Sequence, residues 1–147
     1  MRLAAIIALI LGSLAAPASL HADHSMVLIV NAESSIDHIK PVDLRKVYLG
    51  FTVTKDGGRV IRAVTNRSNT RLWEIFLQDV MGMSERSYDR RLLSLTLQSG
   101  RLRPAVFYDL DQVIDILKSD KDTLAFAWQE DVKDNEDIRI VRVLWQL

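Results

Sequence analysis

The chain has 147 residues, with 19 Lys and Arg against 19 Asp and Glu, 48% hydrophobic residues and no cysteine. Balanced charge leaves no overall field to draw in nucleic acid or an anionic membrane, so any charge-driven binding has to be local. Without cysteine there are no disulfides, no thiolate metal sites, no thiol nucleophile, and no residue on which a bacterial lipoprotein is acylated.

Met1 to Ala22 reads as a targeting segment. Arg2 supplies the positive start, Leu3 to Leu11 is an unbroken apolar run, and small residues follow. The run is far shorter than the roughly 20 residues that span a bilayer. Cleavage fits after Ala18 or after Ala22, and the second site leaves a short polar leader ahead of Met26. It removes Arg2 and no acidic residue, leaving 18 basic against 19 acidic side chains, a net charge of −1. The expectation is a signal peptide over residues 1–22 and an exported, periplasmic domain over residues 23–147. That length, about 125 residues, suits one domain burying about two thirds of its unfolded surface.

Met26 to Val30 is short, apolar and rich in β-branched residues, which predicts a strand covered on both faces. Asn31 to Ser35 is a polar loop after it. Pro41 opens a helix where a missing N–H costs nothing, and Gly50 closes it. Phe51–Thr54 and Val60–Val64 flank Lys55-Asp56-Gly57-Gly58, the signature of a hairpin. Next comes Val64-Thr65-Asn66-Arg67-Ser68-Asn69-Thr70-Arg71, a strand end, a polar turn and a helix start. Ser68, Asn69 and Thr70 are all capping residue types. Leu72, Trp73, Phe76, Leu77 and Val80 then recur at helical spacing, so this helix buries one face and stops near Gly82. Its open N-terminus carries about half a positive charge, and Arg67 and Arg71 add two more, a setting in which a small anion sits well. The plain alternative is a capped helix with solvated arginines.

Ser84 opens another helix, with Tyr88, Leu92 and Leu95 on one face. Gln98 to Pro104 is a loop whose Ser99-Gly100 start has the composition of a cleft wall. Ala105–Phe107 is a brief strand. Asp109 or Asp111 starts a helix with Leu110, Val113, Ile114 and Leu117 in register. Leu124–Trp128 is a strand, Glu130–Asp137 an acidic connection, and Ile138–Val143 a last strand. Alternating strands and helices predict an α/β fold with a mixed sheet.

In this order the features resemble the small exported proteins related to the phosphate-binding component of bacterial ABC transporters, within the type II periplasmic-binding-protein fold. The resemblance covers roughly Val27 to Val143. It rests on Leu44-Arg45 with Tyr48-Leu49-Gly50, on Asp56-Gly57, on Ser68 to Thr70 with Phe76, on Tyr88, on Gly100 with Pro104, and on Thr123 to Phe126. It implies a reduced fold of that type, a mixed sheet flanked by helices. It also implies a small oxyanion, phosphate-like, held by hydroxyls and helix N–H groups in a cleft between two lobes. By position the ligand-binding residues are Ser34, Ser35, Ser68, Asn69, Thr70 and Arg71, with Ser99 and Gly100 as outer candidates. The turn departs from the Ser-Gly-Thr of the larger phosphate binders: Asn69 stands where their glycine does.

No catalytic, metal or cofactor role is expected. His24 and His38, the histidines outside the targeting segment, lack metal-ligand spacing, and no basic stripe supports nucleic-acid binding. The expected protein is a monomer that partners an oxyanion and a membrane transporter. The competing reading is a protein-interaction module with no small ligand, docking on a sensor or transporter through Trp128 and the apolar end Val143 to Leu147.

Overall fold

A computed structural model describes residues 24–147, so the targeting segment expected at residues 1–22 lies outside the described residues. The elements in order are β1 (Ser25–Asn31), α1 (Pro41–Tyr48), β2 (Val53–Lys55), β3 (Arg59–Asn66), α2 (Thr70–Ile75) with a π-helical continuation (Phe76–Met81), α3 (Glu85–Ser99), β4 (Ala105–Phe107), α4 (Leu110–Ser119), β5 (Thr123–Trp128), α5 (Gln129–Val132) and β6 (Ile138–Gln146). The strands form one sheet ordered β2-β3-β5-β1-β6, with β4 beside β3. β3 runs parallel to β4 and β5, whereas β1 is antiparallel to β5 and to β6, and β2 is antiparallel to β3. This is the mixed α/β sheet flanked by helices that the chain order predicts.

The apolar runs of β1 and β5 are buried at every position because each strand feeds two cores. Successive side chains point to opposite faces. Met26, Leu28, Val30, Leu124 and Phe126 meet α1, α2 and α3 on one face, while Val27, Ile29, Ala125 and Ala127 meet Val113 and Leu117 of α4 on the other. The larger core centres on aromatic rings. Phe76 stacks on Phe126 at 3.8 Å between centroids, and Tyr48 meets Phe76 edge-on at 4.7 Å. Tyr88 donates its hydroxyl proton to the Tyr48 carbonyl at 2.6 Å, and Tyr48 donates to the Val64 carbonyl at 3.1 Å. Burial holds the Tyr48 phenol well above its ordinary pKa and pushes that of Tyr88 up to about 12, so both stay neutral donors.

Several elements depart from expectation. The helix opening at Thr70 is α-helical only to Ile75 and then widens to a π-helix before Gly82 ends it at φ 68°. The acidic connection contains the short helix α5. β6 runs on to Gln146, with Leu144 and Trp145 packed on the larger core, so much of the apolar end expected as a contact patch is structural. Val143 and Leu147 remain exposed. No described helix is long and apolar enough to cross a membrane.

Candidate functional site

β3 and β4 lie side by side and parallel, with Asn66 opposite Phe107. The chain leaving β3 enters α2 on the larger-core face, and the chain leaving β4 enters α4 on the other face. Adjacent parallel strands whose helices depart to opposite faces open a crevice at their carboxyl ends, the position at which open α/β sheets take ligands. Ser68, Asn69, Thr70 and Arg71 follow the carboxyl end of β3, and all four are exposed.

Buried Asn66 builds this corner. Its amide donates to the Phe126 carbonyl at 3.0 Å, and its Oδ1 accepts from the Ser68 N–H at 3.0 Å and the Ser68 hydroxyl at 2.6 Å. Asn69 then caps α2, its Oδ1 accepting from the Leu72 N–H at 3.0 Å. These bonds sort the predicted residues chemically. Ser68 has spent its proton, and Asn69 has turned its oxygen onto the helix. The donors that remain for an anion are the side-chain NH2 of Asn69, the hydroxyl and N–H of Thr70, and the N–H and guanidinium of Arg71. Arg67 is occupied. It pairs with Glu85, which also accepts from Trp73 Nε1 at 3.1 Å. Its guanidinium lies over Trp73 at 5.2 Å and Tyr108 at 5.7 Å. Sequence reasoning missed Glu85, Tyr108 and the role of Asn66. Only Asn66 left a signal, the Asn-x-Ser pattern of a side chain bonding the backbone two residues on.

Ser34 and Ser35 are not brought to this corner. β1 runs against β5, with Val30 opposite Leu124, so the loop after β1 emerges where β5 begins. The Ser34 hydroxyl donates to the Lys121 carbonyl at 2.6 Å and accepts from the Ile36 N–H at 3.1 Å. Arg139 ties the same loop down through the Ser34 and Ile36 carbonyls. The level of Thr123 on β3 is Arg62, and Asn66 lies roughly 13 Å farther along. The expected cluster of six residues is therefore split between the two ends of the sheet.

Two cavities open elsewhere. One, of about 610 Å³, lies beside the π-helix between Glu74, Leu77, Met83 and Glu85. The other, of about 630 Å³, lies along β3 under the segment Ser99–Ala105. Ser99 and Gly100 do line a cleft, but not one shared with Ser68 to Arg71, and neither cavity is lined by those four residues. Among the described residues no group of three or more His, Cys, Asp or Glu is placed to hold a metal ion.

No protein-family model matches the chain, and no curated protein matches it in sequence. Solved structures do match in fold. An ABC-type phosphate transport receptor from Vibrio cholerae superposes with a TM-score of 0.56 at 14% identity over 82% of this chain and 46% of its own. PstS from Borrelia burgdorferi gives 0.55 at 12% identity over 81% of this chain and 47% of its own. The chain spans less than half the length of either. At these identities the likeness shows the fold alone: a mixed, partly open sheet flanked by helices, with a type II periplasmic-binding-protein-like architecture.

Proposed function

We propose that the chain is an exported solute-binding protein that receives a small, phosphate-like oxyanion at Thr70 and Arg71, on the frame that Ser68 and Asn69 build, for delivery to a membrane transporter. The supporting observation is the position of that corner at the carboxyl ends of adjacent parallel strands with helices on opposite faces. Ser34 and Ser35 take no part. Magnitudes decide how the corner works. A helix terminus contributes about 0.3–1 kcal/mol to an anion and an exposed ion pair about 0.2–1 kcal/mol. A Kd of 1 mM needs about 4 kcal/mol. An open corner alone thus binds no tighter than millimolar, and a useful receptor needs a second surface over the ligand.

Titrating the purified protein with phosphate, sulfate and molybdate by calorimetry tests this. Weak saturable binding, with a Kd of about tens of millimolar, that Arg71→Glu abolishes, with Tm in the absence of ligand unchanged, is the expected result. Saturable binding untouched by Arg71→Glu would place the ligand elsewhere. A second reading, a docking module without a small ligand, is favoured by two observations: Glu85 already neutralises Arg67, and neither of the two cavities is lined by Ser68 to Arg71. Silence across the oxyanion panel, with a membrane protein retained on the immobilised chain, selects that reading.

A further inference from the structure

The cavity along β3 has no part in the proposed oxyanion site, and its construction calls for a ligand of a different kind. β2 and β4 pair with the same edge of β3, β2 as far as Ile61 and β4 from Val64 onward, and the opening lies between them. Its volume, about 630 Å³, is in the range of small-molecule sites. The segment Ser99–Ala105 roofs it, and that roof is anchored. The Thr96 hydroxyl shares its one proton between the Leu92 carbonyl at 2.9 Å and the Arg101 carbonyl at 3.1 Å. Leu102 passes so near Gly50 that a Cβ there would lie 2.6 Å from the Leu102 carbonyl oxygen. The Arg101 guanidinium sits 3.9 Å above the centre of the Phe51 ring. A guanidinium lying on a ring keeps its N–H groups free at the edge, already oriented for a carboxylate. Among the described residues neither Arg101 nor Arg103 has a carboxylate partner, whereas Arg62 on the same wall is taken by Asp120 at 2.7 Å. The remaining wall sets Val60, Val64, Pro104 and Ile116 beside Thr52 and Thr123.

We infer that this cavity binds a small amphipathic monoanion, a carboxylate on a short apolar or single-ring body, with its charged end at Arg101 and Arg103. The apolar body covers the valines and Ile116. An inorganic phosphate has no apolar body to cover that wall and so gains only the charged contacts. The site is independent of the oxyanion reading and stands or falls separately.

Amide NMR titrations of the purified protein with hexanoate and with 4-methylbenzoate test it, against acetate and inorganic phosphate. Saturable shifts at Phe51, Ala63, Leu102 and Ala105 are expected with the two amphipathic acids and not with acetate or phosphate. Arg101→Ala combined with Arg103→Ala should weaken binding at least tenfold, and Arg71→Glu should leave it unchanged. Should the double variant lose its native amide dispersion, Arg103→Ala alone, which leaves the Phe51 stack in place, is expected to weaken binding several-fold. No saturable shift at these amides overturns the inference. So does undiminished binding by the folded variant, or equal binding of acetate and hexanoate.

Discussion

At Asn69 the residue that turns the chain into α2 is also the residue that caps it. Its Oδ1 serves the Leu72 N–H and its carbonyl serves Trp73. Asn69→Ala leaves the first donor without a protein acceptor and should cost about 1 kcal/mol in urea unfolding, whereas Asn69→Gly should cost a few tenths. A second residue carries pH dependence. Burial alone would raise the Asp120 pKa, but the Asp122 N–H, Arg62 and the Thr123 hydroxyl outweigh it and hold the carboxyl below its ordinary value. A group with a depressed folded pKa stabilises the fold above its unfolded value, about 3.9, and that contribution is lost as pH falls through the folded value. Asp120→Asn should therefore lower Tm at pH 7, and the gap to the parent should narrow as pH is lowered from 5 through 3. A gap constant across that range would mean that the Arg62 and Thr123 contacts do not discriminate the charged form.

Turns expose how differently two glycines act in elements of similar appearance. Gly50 and Gly82 each follow a helix with positive φ, 78° and 68°. A Cβ at Gly82 meets nothing within 4 Å, while one at Gly50 meets the Leu102 carbonyl at 2.6 Å. Alanine at Gly82 should cost only the left-handed penalty, about 1–2 kcal/mol. Alanine at Gly50 should cost more, because Ser99–Ala105 must also move. Unfolding both variants in urea measures the difference, and equal losses would show that the roof yields freely. Most elements were legible where the local signal is chemical: Asp56-Gly57-Gly58 for the hairpin, Pro41 and Gly50 for the limits of α1, Ser84 for the start of α3. The π-helical stretch was not. Its register differs little from that of an α-helix over the six residues Phe76–Met81, too few for apolar spacing to separate the two. Nor was α5, whose Glu130 and Asp131 read as solvated connection although Val132 reaches the smaller core.

Direction is a property of the whole molecule, and there the reading of the site ran out. Strands alternating with helices favour parallel pairing, which would bring the loop after β1 to the same edge as Ser68 to Arg71. Hydrophobic runs such as Met26 to Val30 and Leu124 to Trp128 carry no mark of which way they point, and β1 lies antiparallel to both neighbours. The corner itself could be located because caps and charges are local. The partners it was given could not, because they depend on strand order. The same central strands bear on cooperativity. β1 and β5 are buried on both sides and supply alternate residues to each core, so neither core can open without stripping a strand that the other needs. Phe76→Ala, in the aromatic stack, should cost about 3–5 kcal/mol, and Leu117→Ala, on the opposite face, about 2–5 kcal/mol. Each should shift the urea midpoint with an unchanged m-value, and tryptophan fluorescence, which reports Trp73 in the larger core, should follow the same transition as far-ultraviolet circular dichroism for both. If Leu117→Ala instead gave an early circular-dichroism step with fluorescence intact, the α4 face would be a separate unit and the sheet would not couple the two cores.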